Sequence, residues 1–100
     1  MTIRHVVSWK LTATDADTNR EHRETITAAL ESLPALIPEI RSFTIGSNVV
    51  ESDAAYDLVL IADYDDEAAL DAYIVHPEHE RVRGIIGPLV AARSVVDFVV

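Results

Sequence analysis

From Ile3 to Leu11, hydrophobic and polar side chains nearly alternate. Ile3, His5, Val7, Trp9 and Leu11 share one parity; Arg4, Val6, Ser8 and Lys10 share the other. A period of two separates those sets only in a strand. The polar stretch T-A-T-D-A-D-T follows, and Thr18 with Glu21 has the spacing of a capping box. His22, Ile26, Ala29, Leu30 and Leu33 then recur at helical spacing, which predicts an amphipathic helix to about Pro34. Pro34 and Pro38 bracket a turn, because each disfavours helix at the residue before it. A second strand is predicted over 40–47, where Phe43 and Ile45 alternate with Ser42 and Thr44. The third is Y-D-L-V-L-I-A-D-Y from Tyr56, rich in residues that suit a pleated, buried position.

Asp65 or Asp66 should cap a short helix carrying Leu70, Tyr73 and Ile74 on one side. Pro77 discourages helix at His76 and suits the first position of a new helix, with Glu78 and Glu80 favourable near its start. His76 and Pro77 are therefore structural punctuation. Gly84, Gly87 and Pro88 should end that helix around 86–91, before a last strand from about Arg93 to Val100.

The order is β-α-β-β-α-β, with the second helix broken at His76–Pro77. It predicts one α+β domain over residues 1–100, a ferredoxin-like subunit with a four-stranded antiparallel sheet and helices on one face. The first and third strands are expected at the centre, adjacent and parallel. Both faces of the strands are apolar: Val59 and Ile61 alternate with Leu58 and Leu60, and Val95 and Val99 with Val96 and Phe98. A bare second face would be larger than a monomer usually tolerates, so a homodimer with sheets face to face is expected.

Composition narrows the partners. With eight Lys and Arg against 17 Asp and Glu, the formal net charge is -9, which disfavours nucleic acid. No apolar run is long enough to span a bilayer, and M-T-I-R-H-V-V enters a strand directly, so a soluble cytoplasmic protein is expected, with no membrane partner. Cysteine is absent, which removes disulfides, thiolate metal sites and a cysteine nucleophile.

Four residues carry candidate chemistry: His5, Asp57, Tyr73 and His79. Parallel first and third strands would bring His5 and Asp57 together, the carboxylate orienting the ring. Tyr73 ends a helical stripe, so its ring should pack inward while its hydroxyl seeks a partner. His79 is the third residue of its helix, where positive backbone potential favours the neutral imidazole that a general base needs. Val7, Trp9 and Val59, with Asp57, are the expected lining of a ligand pocket. His76 and His79 form H-x-x-H beside Glu78 and Glu80, but His76 sits at the break, and zinc sites need three or four converging ligands. No metal and no cofactor are expected.

I-R-H-V-V-S-W-K-L, Y-D-L-V-L-I-A-D-Y, the closing V-V-D-F and above all A-Y-I-V-H-P-E-H resemble the stress-responsive dimeric α+β barrel (Dabb) family over essentially the whole chain. The resemblance implies a ferredoxin-like subunit and a homodimer whose sheets form a barrel. Many members of that family have no assigned reaction, so the first functional expectation is a Dabb protein holding a small apolar or aromatic ligand between sheet and helices. The plant cyclase that makes olivetolic acid is a relative, and it implies the alternative: cofactor-free cyclisation with His79 as base, Tyr73 stabilising an oxyanion and His5 lining the pocket. Asp57 stands where that cyclase has a histidine. Similar dimeric barrels also host monooxygenase chemistry, a third expectation resting on fold analogy alone.

Overall fold

A computed structural model describes residues 1–100. Strand β1 (Ile3–Leu11) leads into helix α1 (Ala16–Glu31), then β2 (Ser42–Ser47) and β3 (Leu58–Tyr64). Helices α2 (Glu67–Ile74) and α3 (Pro77–Ile86) follow, and a single 3-10 turn over Gly87–Leu89 delivers the chain into β4 (Val90–Val99). The sheet has four strands in the order β2-β3-β1-β4, and every neighbouring pair is antiparallel. This is the ferredoxin-like α+β subunit.

The direction of β3 corrects one expectation. The α1 crossover makes β1 and β2 parallel, and β3 lies between them, so it runs opposite to both. His5 therefore faces Ala62, and Trp9 faces Leu58. Asp57 sits at the Leu11 end of β1, about 17 Å from His5 at roughly 3.4 Å per strand residue. His5 and Asp57 do not meet.

Helix starts follow the polar residues before them. Asp15, rather than Thr18, caps α1: its carboxylate accepts from the Thr18 backbone N–H at 2.9 Å. Asp66 caps α2 in the same way through Ala69 N–H at 2.8 Å. His76 caps α3, its Nδ1 accepting from Glu78 N–H at 3.1 Å, with Pro77 at the first helical position. That position suits proline because its missing N–H would have no intrahelical partner.

All helices lie on one sheet face, where alternate strand residues form the core: Val7, Trp9 and Leu11 of β1, and Leu58, Leu60, Ala62 and Tyr64 of β3. Ile26, Leu30, Leu33, Tyr73, Val82 and Ile86 close over them. The opposite parity makes the outer face. There Val6 stands between Ile61 and Val96, and Phe98 lies beside Arg4. Val96 is 61% exposed and Phe98 44%, values that leave this apolar face uncovered by the chain's own helices. No helix is long and apolar enough to cross a membrane.

Candidate functional site

The core of a sheet–helix domain is normally apolar, and here one strip of it is not. His5, on the helix face of β1, is only 4% exposed. The register places Asp97 of β4 directly opposite, and His5 Nδ1 meets Asp97 Oδ1 at 2.5 Å. An ionised carboxylate only accepts, so in this pairing Nδ1 carries a proton and donates it to Asp97. Asp97, not Asp57, is the residue that orients this imidazole. Asp57 is engaged elsewhere, accepting from Leu11 N–H at 2.7 Å and from Arg23 at 2.9 Å, which ties the end of β1 to α1.

Around His5 the aromatic rings form a chain. Tyr64 and Tyr73 lie with centroids 6.2 Å and 6.1 Å from His5, and 5.0 Å from each other. Tyr73 meets His79 edge to face at 4.6 Å. The break between α2 and α3 makes this contact: Tyr73 is in the last turn of α2, and His79 is at the third position of α3. Tyr64 is fully buried and its hydroxyl has no hydrogen-bond partner. His79 Nδ1 is likewise buried without a partner.

These environments push the ionisable groups apart. Burial raises the Tyr64 phenol far above the ordinary range, reinforced by the neighbouring Tyr73 oxygen. Burial also pushes Tyr73 up to about 12, against small opposing effects of Tyr64 and Arg93. His79 moves the other way: burial lowers it, helped by the positive charges of Arg83 and Arg93 and opposed by Glu80. At neutral pH the site thus holds protonated phenols, able to donate, beside a neutral imidazole, able to accept.

The strip borders a cavity of about 300 Å³ between sheet and helices. Its apolar walls include Val7, Trp9, Leu30, Leu60, Val82 and Ile86. Its polar lining is His5, Tyr73, His79, Arg83 and Arg93. Of the residues expected from sequence, His5, Tyr73, His79, Val7 and Trp9 come together here. Val59 does not: it pairs with Ser8 and Gly46 on the outer-face parity. Asp57 borders a larger polar cleft of about 730 Å³ at the other end of the molecule. The charges there are largely spoken for, Arg23 by Asp57 and Arg20 by Asp17.

Sequence reasoning missed Asp97, Tyr64 and Arg93. An acid inside the apolar run V-V-D-F-V-V was a visible signal for Asp97, and β4 pairing with β1 brings it to His5. No group of three or more His, Asp or Glu side chains is placed to hold a metal ion.

The family profile described as Stress responsive A/B Barrel Domain (Dabb) matches residues 3–100. The chain belongs to the Dabb family. Two solved structures of dimeric ferredoxin-like proteins of unknown function superpose on this Dabb domain along nearly its full length. The Bacteroides fragilis protein is 26% identical with a TM-score of 0.86, covering 97% of this chain and 94% of its own. The Thermobifida fusca protein is 33% identical with a TM-score of 0.83, covering 100% and 92%. Hydroxynitrile lyase from Passiflora edulis, 13% identical, has a TM-score of 0.81 over 99% of this chain and 93% of its own. At that identity it shares the fold alone. Among curated proteins nothing matches this sequence.

Proposed function

We propose that this Dabb domain binds a small, largely apolar or aromatic molecule in the cavity between its sheet and helices. One observation carries this reading: a cavity of about 300 Å³ with eight hydrophobic residues among its 13 lining residues, and His5, Tyr73 and His79 at one wall. Ligand sites are typically apolar hollows with a few convergent polar groups. Trp9 is the only tryptophan and lines the cavity, so its fluorescence reports occupancy directly. Titration with small aromatic carbonyl compounds should shift Trp9 emission, and Val82→Phe, which fills the space, should abolish the shift. A response unaltered by Val82→Phe would place binding elsewhere and sink the reading.

The protonation pattern favours a second reading, cofactor-free proton transfer. A ligand carbonyl beside Tyr73 would receive a hydrogen bond from its phenol, while neutral His79 takes a proton from the adjacent carbon. The C–H electron pair becomes the C=C bond of an enolate as the carbonyl π pair moves to oxygen, and the enolate carbon can then attack a second carbonyl. Asp97 orients the His5 ring at the same wall. Given a bound ketone, deuterium exchange at its α-carbon is the sensitive assay. His79→Ala and Tyr73→Phe should each lower it by about a hundredfold, the usual scale for one acid or base. Exchange that persists in both variants counts against this chemistry.

The same domain is proposed to work as a homodimer. The support is the apolar outer face of Val6, Ile61, Val96 and Phe98, together with relatives of this fold that are themselves dimeric.

A further inference from the structure

Charge bookkeeping singles out one residue of the cavity. The chain has one lysine and seven arginines against 17 acids. Arg4, Arg20, Arg23, Arg41, Arg81 and Arg83 each hold a carboxylate at 2.7–3.1 Å. Arg93 holds none and makes no side-chain hydrogen bond. Arg93 is exposed and solvated, so its place is what marks it: of the two arginines on the cavity wall, Arg83 is paired with Glu80 and Arg93 is free.

Arg93 is on β4 opposite Trp9, with its side chain on the helix face, and it lines the cavity. Tyr73 and His79 line the same cavity. Asp97, on the same strand, is paired with His5, and Glu80 of α3 with Arg83. A guanidinium offers a rigid fork of donors that matches a carboxylate in two parallel hydrogen bonds.

We infer that the ligand of this cavity is an anion, a small aromatic or apolar carboxylate whose ring lies against Trp9 and Val82 and whose charge is received by Arg93. This rests on the cavity being the ligand site, and it adds the ligand's class. The carboxylate end then points at Arg93, and the remainder of the molecule is presented to Tyr73 and His79. A neutral isostere loses the charge-assisted pair but keeps the apolar contacts, so the two forms of one molecule separate the contributions.

Cinnamate and cinnamamide differ by little except charge, and calorimetry measures both on the full chain. Cinnamate should bind about tenfold more tightly or better, a difference expected of one charged hydrogen-bonded pair. Arg93→Gln should abolish the preference while leaving cinnamamide affinity unchanged, and Arg93→Lys should restore part of it. Arg81→Gln, which removes an exposed arginine paired to Glu78 outside the cavity, should leave it intact. Equal affinity for the two probes, or a preference that survives Arg93→Gln, overturns the assignment of Arg93 and leaves the cavity reading standing. Failure of both probes to bind at millimolar concentration overturns the cavity reading and this inference with it.

Discussion

Tyr64 brings a phenol into the core with its ring wholly buried and its oxygen unpaired. A buried hydroxyl without a partner costs on the order of 1–3 kcal/mol in desolvation. Removing it while keeping the ring should therefore help stability: Tyr64→Phe is expected to be neutral or to stabilise by about 1 kcal/mol in urea unfolding. A loss above about 1 kcal/mol would mean that the hydroxyl has a partner after all. His79 offers a pH test at the same scale. Burial and the neighbouring arginines lower its folded pKa below the unfolded value of about 6.5. The sign follows: its contribution to stability is fully present above about 6.5 and is lost as pH falls through the lower folded value. An NMR titration should show the His79 ring protonating below the pH at which free histidine does, and Arg93→Gln should raise that midpoint. A midpoint at or above 6.5 in the unaltered protein would remove the basis for treating His79 as a neutral base.

Among the elements, the α2–α3 break decides where the site can be. Pro77 cannot continue α2 and is preorganised to begin α3, and His76 satisfies the Glu78 N–H left open at that start. His76→Ala should cost about 1 kcal/mol, the usual scale for a lost cap, and should loosen the turn that holds His79 against Tyr73. Asn at 76, a strong capping residue, should recover most of that stability; if His76→Asn is as damaging as alanine, capping is not what His76 does. This element was legible from sequence because it depends on neighbours along the chain, as do the four strands and three helices to within a few residues; the 3-10 turn at Gly87–Leu89 was not expected. Partners across the sheet were less legible. Whether His5 meets Asp57 or Asp97 depends on strand direction and register, which hairpins and crossovers set together. A β3 parallel to β1 would bring Asp57 to His5; its antiparallel direction carries Asp57 to the far end, and the β1–β4 register sets the acid of V-V-D-F opposite His5. Val59 fails for a related reason, since one step along a strand moves a side chain to the other face.

At the scale of the whole molecule, the sheet has only one face served by its own helices. Opposite them, Val6, Ile61, Val96 and Phe98 form an apolar band, and the paired Arg4 and Asp63 sit at one end of it, linked by two hydrogen bonds of 2.9 Å. That end pair is well suited to an interface, because a guanidinium already bound to a carboxylate can be covered by a partner without leaving a bare charge. Two such faces packed together would remove the exposed valines and phenylalanine of both copies from water, and relatives of this fold are dimers. The band's centre is therefore the place to test. Val96→Arg puts a charge beside Val6 at the centre of the band in each copy. Sedimentation at micromolar concentration should read twice the 11.0 kDa chain mass for the unaltered protein and a single chain mass for Val96→Arg. Because exposing the band costs the stability that burial supplies, the variant should also unfold at lower urea, and its midpoint should no longer rise with protein concentration. A stable monomer before any substitution would show that the outer face needs no second copy.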